Sequence, residues 1–307
     1  MGTQVAAIVP YFNAKGFLNG GHLERVSACL LESADSGHVL AMDDGSWDGT
    51  LTCLLERKPS NGIVLAHVVN EGYCSAVNHA VQYALDLLHA EAVLLVDQDS
   101  EVEPSALRAL LSLMDQNLDV AAIQPLVLHP GARTVYSAGH DYASDGFCTP
   151  RQIHPDSMHL TDQRSVSLVG TLVRSRALIN CGLLDSGFRI YWESSDLCFR
   201  LRAQGWRVCV APSVSVIHHR RQAESTPQQL YYVYRNWLAF WARHDANILR
   251  VAEHSDRWRR LGERGDFARF WSERARRDGL RLGEQISSEG YRLPGVTFDH
   301  SSAHAWD

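Results

Sequence analysis

Short apolar runs alternate with amphipathic helical patterns along roughly the first 125 residues. The runs at 5–9, 39–42, 63–69 and 92–96 are rich in Val, Ile, Leu and Ala. Runs of this kind are typical of strands that are buried on both faces of a parallel sheet. The segment 76–88 instead places its apolar residues at helical spacing. This alternation predicts an α/β fold with a doubly wound, mainly parallel sheet and right-handed crossovers.

The pattern changes twice further along the chain. Strand-like order is expected again at 120–124, an irregular stretch follows to residue 161, and order returns at 165–173. A helix is predicted within 191–205, followed by two strands at 207–211 and 214–217 and by helices beyond residue 222. We therefore expect an α/β domain over 1–222, with halves of about 1–125 and 126–222, and a helical region over 223–307.

Polar residues stand where several predicted strands end. Asp97 and Asp99 follow the run 92–96, Asp43 and Asp44 follow the second run, and His218 follows the last strand. Ligands of open α/β sheets bind at the carboxyl ends of the strands. Two carboxylates at this spacing suit Mg²⁺ or Mn²⁺. The alternative is a turn in which Asp99 or the next residue, Ser100, caps the following helix.

Composition narrows the possible classes of protein. With 307 residues, 45% of them hydrophobic, and a net charge of -6, the chain is expected to fold and not to bind nucleic acid. No apolar run is long enough to span a bilayer and no signal peptide is recognisable, so a cytoplasmic location is expected. The seven cysteines form no C-x-x-C pair and are expected to be reduced core thiols.

These groups together suggest a displacement reaction. Asp43 or Asp44 could accept the imide N–H of a pyrimidine base, and a cation at Asp97 and Asp99 would stabilise a departing diphosphate. Glu193 or Asp196 could remove a proton from an attacking hydroxyl. The combination describes transfer of a sugar from a nucleoside diphosphate to an alcohol.

The ordered motifs resemble those of the inverting family 2 glycosyltransferases, and the form of the Asp97 motif looks most like the rhamnosyltransferase branch. The resemblance covers about residues 5–244 and rests on Pro10-Tyr-Phe-Asn13, Asp43-Asp-Gly-Ser-Trp-Asp-Gly-Thr50, Asn70-Glu-Gly72 with Asn78, Asp97-Gln-Asp-Ser100, Gly182-Leu-Leu-Asp185 and Trp192-Glu-Ser-Ser-Asp-Leu-Cys-Phe-Arg200. It implies a GT-A fold.

The resemblance also implies roles for individual residues. Asp43 and Asp44 would contact the base, and Asp97 and Asp99 would hold Mg²⁺ or Mn²⁺ and the diphosphate. The third metal ligand would be His218 or His219, of which His218 is preferred because it directly follows the last apolar run. The remaining residues implied to bind the nucleotide sugar are Pro10, Tyr11, Asn13, Asn70, Gly72, Asn78 and Gln98.

The chain departs from the family at the catalytic base. Many members carry an aspartate directly after the glutamate of this motif, whereas this chain has Ser194. Glu193 and Asp196 then remain as candidates for the base. An ion pair between Asp196 and Arg200, four residues later, would lower the pKa of Asp196 and make it a poorer base. We therefore expect Glu193 to be the base.

The expected donor is dTDP-L-rhamnose, with UDP-sugars as the alternative, and the expected acceptor is a glycan or a lipid-linked glycan. Ten arginines against six acidic residues over 250–281 suggest peripheral contact with a membrane, and the aromatic C-terminal helices suggest a homodimer surface.

A catalytically impaired sugar-nucleotide or glycan-binding module of the same fold is the main alternative function. A dehalogenase-like phosphatase is disfavoured because no lysine follows Lys58, and a dinucleotide oxidoreductase because no strand precedes a G-x-G-x-x-G motif.

Overall fold

The computed structural model describes residues 3–34, 36–131, 134–219, 226–263 and 265–289. The strands are β1 (Gln4–Tyr11), β2 (Ser36–Asp44), β3 (Gly62–His67), β4 (Ala92–Leu95), β5 (Ser100–Glu101), β6 (Val120–Leu128), β7 (Val135–Ser137), β8 (His140–Tyr142), β9 (Cys148–Pro150), β10 (Thr161–Asp162), β11 (Thr171–Arg174) and β12 (Arg207–His218). The α-helices are α1 (Lys15–Asn19), α2 (His22–Ser33), α3 (Thr50–Glu56), α4 (Tyr73–Asp86), α5 (Pro104–Gln116), α6 (Ser175–Cys181), α7 (Glu193–Ala203), α8 (Pro227–His244), α9 (Ala246–Glu253), α10 (Asp256–Gly262) and α11 (Asp266–Glu289), and a short 3₁₀ turn spans Ser186–Phe188.

The central sheet has the strand order β10-β12-β6-β11-β4-β1-β2-β3. The strands β1 to β4 are parallel to one another, β6 is parallel to β12, and β11 runs antiparallel between β4 and β6. Alternate residues of β1 enter separate apolar clusters on the two faces of the sheet. This burial on both faces explains the unbroken apolar runs, and the predicted doubly wound, mainly parallel α/β fold is confirmed.

Three local predictions were wrong. The strands expected at 207–211 and 214–217 form one strand, β12, because a register shift between Ala211 and Ser215 absorbs the interruption at Pro212. In the segment 165–173, regular strand structure begins only at Thr171. The stretch expected to be irregular up to residue 161 contains β7 to β9 and the start of β10, strands of two or three residues that are too short to produce a readable alternation.

Several aromatic residues of α8 lie inside the protein core. The side chains of Tyr231, Tyr232, Trp237 and Trp241 are buried within the protein, where α8 packs against α11 and the α7 region. These four aromatic residues of α8 therefore supply core contacts. The predicted boundary between residues 222 and 223 lies outside the described residues.

The remaining expectations from composition concern cysteines and membrane spans. All seven cysteines are free thiols, and all but the half-buried Cys148 are buried. Among the described residues, no helix combines the length and the apolar character required to cross a bilayer.

Candidate active site

A cavity of about 630 Å³ opens at the carboxyl ends of β1, β2 and β4, and the first turn of α8 forms its opposite wall. Its volume lies within the range of small-molecule sites. The predicted site residues that line it are Pro10, Tyr11, Asp44, Asn70, Gly72, Asp97, Gln98, Asp99 and His218. Residues separated by more than 200 positions thus meet because parallel strands end at one edge of the sheet.

Asp97, Asp99 and His218 form a group whose ligand atoms all lie within 4.8 Å of one another. The Nε2 atom of His218 lies 3.1 Å from Asp99 Oδ1 and 3.9 Å from Asp97 Oδ2. Pairing of β5 with β12 places Ser100 opposite His218 and so fixes this approach. His219 points elsewhere, with Nε2 3.1 Å from a carboxylate oxygen of Glu101.

The chemistry of this group fits a divalent cation. Two carboxylates and one imidazole offer hard oxygen ligands and a nitrogen ligand, a set that suits Mg²⁺ or Mn²⁺. Burial alone would raise the pKa of Asp99, but the hydrogen bond and charge of His218 lower it below its ordinary value. The alternative helix-cap role is not observed, because Glu103 is the N-cap residue of α5 and Ser100 lies in β5.

Asp44 organises the loop that follows β3. Its carboxylate accepts hydrogen bonds from the backbone N–H groups of Glu71 and Gly72, both at 2.8 Å, and from the Asn70 side chain at 2.9 Å. The Nδ1 atom of His67 lies 2.8 Å from the same carboxylate. Both oxygens of Asp44 are therefore engaged within the protein, and Asp44 shapes the wall of the cavity.

Asp43 differs from its neighbour. It is buried, its Oδ2 accepts a hydrogen bond from Ser46 N at 3.3 Å, and its Oδ1 has no hydrogen-bond partner among the described residues. Asn13 supports the same loop, because its Oδ1 accepts a hydrogen bond from Trp47 N at 3.2 Å. Neither Asp43 nor Asn13 is among the residues that line the cavity in the described part of the chain.

Gly72 and Arg189 meet at another wall of the cavity. Gly72 has φ +98°, and a Cβ atom there would lie 2.4 Å from Arg189 Cγ. Arg189, which itself has φ +63°, donates hydrogen bonds to the backbone and side-chain oxygens of Asn70. Only glycine combines this conformation with this close approach.

Asn78 does not line the cavity in the described part of the chain. Its side chain forms hydrogen bonds with the backbone N–H and C=O of Leu184, at 2.9 and 2.7 Å.

Glu193 begins α7 and is buried; it is not among the described residues that line the cavity, but the charge of Asp97 acts on it. Burial raises the pKa of its carboxyl to about 7, and the negative charge of Asp97 adds to this rise, whereas backbone hydrogen bonds at the start of the helix oppose it. Its Oε2 atom has no hydrogen-bond partner within the described part of the chain. This carboxyl can therefore gain and lose a proton near neutral pH.

Asp196 has the opposite environment. Its oxygens accept hydrogen bonds from Arg200 Nε at 2.8 Å and Arg243 Nη1 at 2.6 Å, and His244 Nε2 lies 2.9 Å away. Burial would raise the pKa of Asp196, but these three neighbours hold it well below its usual range. The ion pair with Arg200 was predicted from the spacing. Arg243 and His244 were missed, because nothing in the spacing connects residues 47 and 48 positions apart.

Known proteins resemble this chain in sequence. The model of the family described as "Glycosyltransferase like family 2" matches residues 3–236. The N-acetylglucosaminyl-diphospho-decaprenol L-rhamnosyltransferase of Mycobacterium tuberculosis is 29% identical over 264 residues, which cover 78% of this chain and 83% of the relative. The low-salt glycan biosynthesis hexosyltransferase Agl10 of Haloferax volcanii is 23% identical, and the match covers 54% of each chain.

Solved structures resemble it in fold. S. aureus TarS (residues 1–349) in complex with UDP-GlcNAc superposes with a TM-score of 0.55 and 16% identity over 97% of this chain and 95% of that chain. GalNAc-T7 with UDP, GalNAc and Mn²⁺ superposes with a TM-score of 0.63 and 12% identity over 95% of this chain, which spans 58% of that protein. From the match over most of its length and from its GT-A fold, the chain belongs to glycosyltransferase family 2 and is a glycosyltransferase.

Proposed function

We propose that the protein transfers a sugar, with L-rhamnose from dTDP-L-rhamnose as the leading candidate and a UDP-sugar as the alternative, to a hydroxyl of a lipid-linked glycan. The observation that carries this proposal is the position of Asp97, Asp99 and His218 at the cavity, together with a buried carboxyl, Glu193, on which the charge of Asp97 acts and whose pKa is raised to about 7. The relative that acts on N-acetylglucosaminyl-diphospho-decaprenol supports the choice of donor sugar and acceptor class.

In the proposed reaction Glu193 accepts the proton of the acceptor hydroxyl. The hydroxyl oxygen forms a bond to the anomeric carbon, and the bond from that carbon to the phosphate oxygen breaks. The nucleoside diphosphate leaves with the electron pair. Mg²⁺ or Mn²⁺ held by Asp97, Asp99 and His218 would neutralise the negative charge that develops on the diphosphate. Attack opposite the leaving group inverts the anomeric centre.

The distinct environments of the two acids support Glu193 as the base. A base must be able to bind the proton it removes, which Glu193 can do with a pKa of about 7. Asp196 is bound by three cationic or hydrogen-bonding groups that favour its ionised form and reduce its basicity. We infer that Asp196 holds α7 against α8 and thereby positions Glu193.

The proposed nucleotide contacts involve the walls of the cavity. Tyr11, Gln98 and Gly72 line it and would face the donor. Either of the two neighbouring aspartates would accept the pyrimidine imide: Asp44 lines the cavity with both oxygens already engaged, whereas Asp43 has an oxygen without a partner among the described residues but does not line the cavity. The same hypothesis includes peripheral contact with a membrane and self-association through the C-terminal helices.

The test is release of nucleoside diphosphate by purified protein with Mn²⁺ and a panel of dTDP- and UDP-sugars. The expected result is release from dTDP-L-rhamnose that increases in the presence of a GlcNAc-diphospho-lipid acceptor and stops with EDTA. Activity that persists in EDTA would contradict the metal role, and activity with a different donor alone would correct the sugar.

The second candidate, a sugar-nucleotide or glycan-binding module, is favoured by a single observation, the presence of Ser194 where many family members have an aspartate. Such a module would bind a nucleotide sugar without releasing nucleoside diphosphate. Calorimetric binding without turnover for every donor and acceptor pair would therefore select this function.

A further inference from the structure

His22 is a buried histidine outside the group of reacting residues. It is the first residue of α2 and is only 2% exposed. Its Nδ1 atom lies 2.8 Å from the hydroxyl of Tyr11, and its Nε2 atom lies 2.9 Å from the carbonyl oxygen of Ser100. A carbonyl oxygen can only accept, so Nε2 carries the proton and Nδ1 accepts the hydroxyl proton of Tyr11. The two hydrogen bonds therefore select one neutral tautomer.

Both partners of His22 belong to the proposed active site. Tyr11 lines the cavity, and its ring meets the imidazole edge-on at 5.7 Å between centroids. Ser100 follows Asp99 directly and pairs with His218 across β5 and β12. The imidazole thus joins the nucleotide side of the cavity to the backbone that carries the metal-binding group.

The segment that bears the two aspartates is held by its own hydrogen bonds and by several neighbouring segments. We call residues 97–101 the metal loop. Within it, the backbone N–H and the hydroxyl of Ser100 both donate to the carbonyl oxygen of Asp97, at 3.0 and 2.9 Å. These bonds shape the loop internally. Three contacts anchor it from outside: His22 binds it to α2, the side chain of Gln98 accepts a hydrogen bond from Phe12 N at 2.8 Å, and β12 pairs with its end.

Burial keeps the imidazole in the form that these bonds need. The pKa of His22 is lowered from its ordinary value by burial, against a smaller opposing effect of the hydrogen bond to Ser100. At neutral pH the ring is therefore uncharged, with one donor and one acceptor. In a charged ring Nδ1 would also carry a proton, so the Tyr11 hydroxyl would have to accept this hydrogen bond and could no longer donate it.

We propose that His22 is a positioning residue, which holds the metal loop at a fixed place relative to Tyr11 before metal or nucleotide binds. It touches neither the proposed substrate nor the metal and acts through the carbonyl of Ser100. The inference rests on the proposed function only in taking Asp97, Asp99 and His218 as the metal site.

Two variants at this one position separate the two hydrogen bonds. Glutamine reaches the place of Nε2, so His22→Gln retains a donor to Ser100. Asparagine reaches the place of Nδ1, so His22→Asn retains an acceptor for Tyr11 and loses the bond to the metal loop. Ser33→Ala is the matched control, because Ser33 lies on the same helix and its hydroxyl donates to a backbone carbonyl, that of Pro104, at 2.9 Å.

The measurement is the Mn²⁺ dissociation constant of the full chain without nucleotide, by titration calorimetry, with a thermal melt of each variant. The expected result is a rise of about tenfold for His22→Asn, the size of one lost buried hydrogen bond. His22→Gln and Ser33→Ala should stay within about twofold of the wild type, because each lost bond in these variants lies away from the metal loop.

The outcomes are distinguishable. Equal Mn²⁺ affinity in all folded variants would overturn the positioning role while leaving the metal site in place. The same holds if the loss of Mn²⁺ affinity correlates with the fall in melting temperature and not with the hydrogen bond that each variant removes. A wild type that binds no Mn²⁺ would overturn the metal site itself and this inference with it.

Discussion

Replacing Glu193 by glutamine should stabilise the protein at alkaline pH and abolish sugar transfer. The pKa of this buried carboxyl is raised from 4.5 to about 7. A raised pKa means that the folded state holds the proton more tightly than the unfolded state. The contribution of Glu193 to stability is therefore complete below about pH 4.5 and is lost as the pH rises through 7.

The size of the effect follows from the two pKa values. At about 1.4 kcal/mol per pKa unit, the ionised carboxylate costs about 3 kcal/mol of folding free energy at pH 8 and about 1 kcal/mol at pH 5, relative to a permanently protonated group. Glutamine has the shape of the protonated acid and cannot ionise. Glu193→Gln should therefore unfold at a higher temperature than the wild type, and the difference should grow between pH 5 and pH 8.

The same carboxyl should control activity. Transfer requires the ionised form, so kcat/KM of the wild type should rise with pH through about 7. The glutamine variant should bind the donor with unchanged affinity and lose about 10² to 10⁴-fold in turnover, the usual contribution of a general base. Stability and activity would then move in opposite directions in one variant.

The assay combines thermal melts at pH 5 and 8 with nucleoside diphosphate release from pH 5.5 to 8. Glu56→Gln is the control, because Glu56 is an exposed glutamate at the end of α3 and its removal should give the same small change at both pH values. A glutamine variant at 193 that melts no higher than the wild type at pH 8, or a flat pH profile of kcat/KM, would refute the reasoning.

Three further outcomes are expected. His218→Ala should weaken Mn²⁺ binding at least about tenfold in calorimetry, because losing a group that merely orients a ligand already costs that much, and His219→Ala should bind like the wild type. Asp196→Asn should lower the free energy of unfolding by about 3–5 kcal/mol in urea titrations, since it leaves buried cations without their counter-charge. Because the pKa of Asp196 is held well below 3.8, its stabilising effect is present above that pH and lost only in acid, so this deficit should be constant from pH 5 to 8. Gly72→Ala should cost about 1–3 kcal/mol and weaken donor binding, since φ is +98° and the new Cβ would lie 2.4 Å from Arg189 Cγ; native affinity in that variant would place the donor elsewhere.

Much of the group proposed to hold the metal could be predicted from the sequence, because its members follow predicted strands directly. Asp97 and Asp99 are close to each other along the chain, and both come after an apolar run, so their place at a sheet edge follows from strand geometry. His218 was preferred to His219 because it directly follows the last apolar run. Successive residues of a strand point to opposite faces, so the two histidines cannot share one environment. The structure turns one histidine toward the aspartates and the other toward Glu101.

Other features had no local signal. The antiparallel strand β11 lies between β4 and β6, yet its residues resemble those of the parallel strands, because burial on both faces selects the same side chains for either direction. The full set of partners around Asp196 was equally hidden. Arg200 was visible at helical spacing, whereas Arg243 comes from α8, and only tertiary packing brings it near.

The sequence by itself determined the class of fold, the family, and the identity of the residues that offer chemistry, because hydrophobic period and short motifs are properties of neighbouring residues. Tertiary structure alone decided which of those residues meet and in what electrostatic state. Glu193 and Asp196 lie three positions apart on α7, yet their pKa values shift in opposite directions. The pKa of Glu193 is raised by burial and by the charge of Asp97, whereas the pKa of Asp196 is lowered by cations that include Arg243 from a distant segment. Burial and long-range charge, which set those pKa values, exist only once the chain has folded.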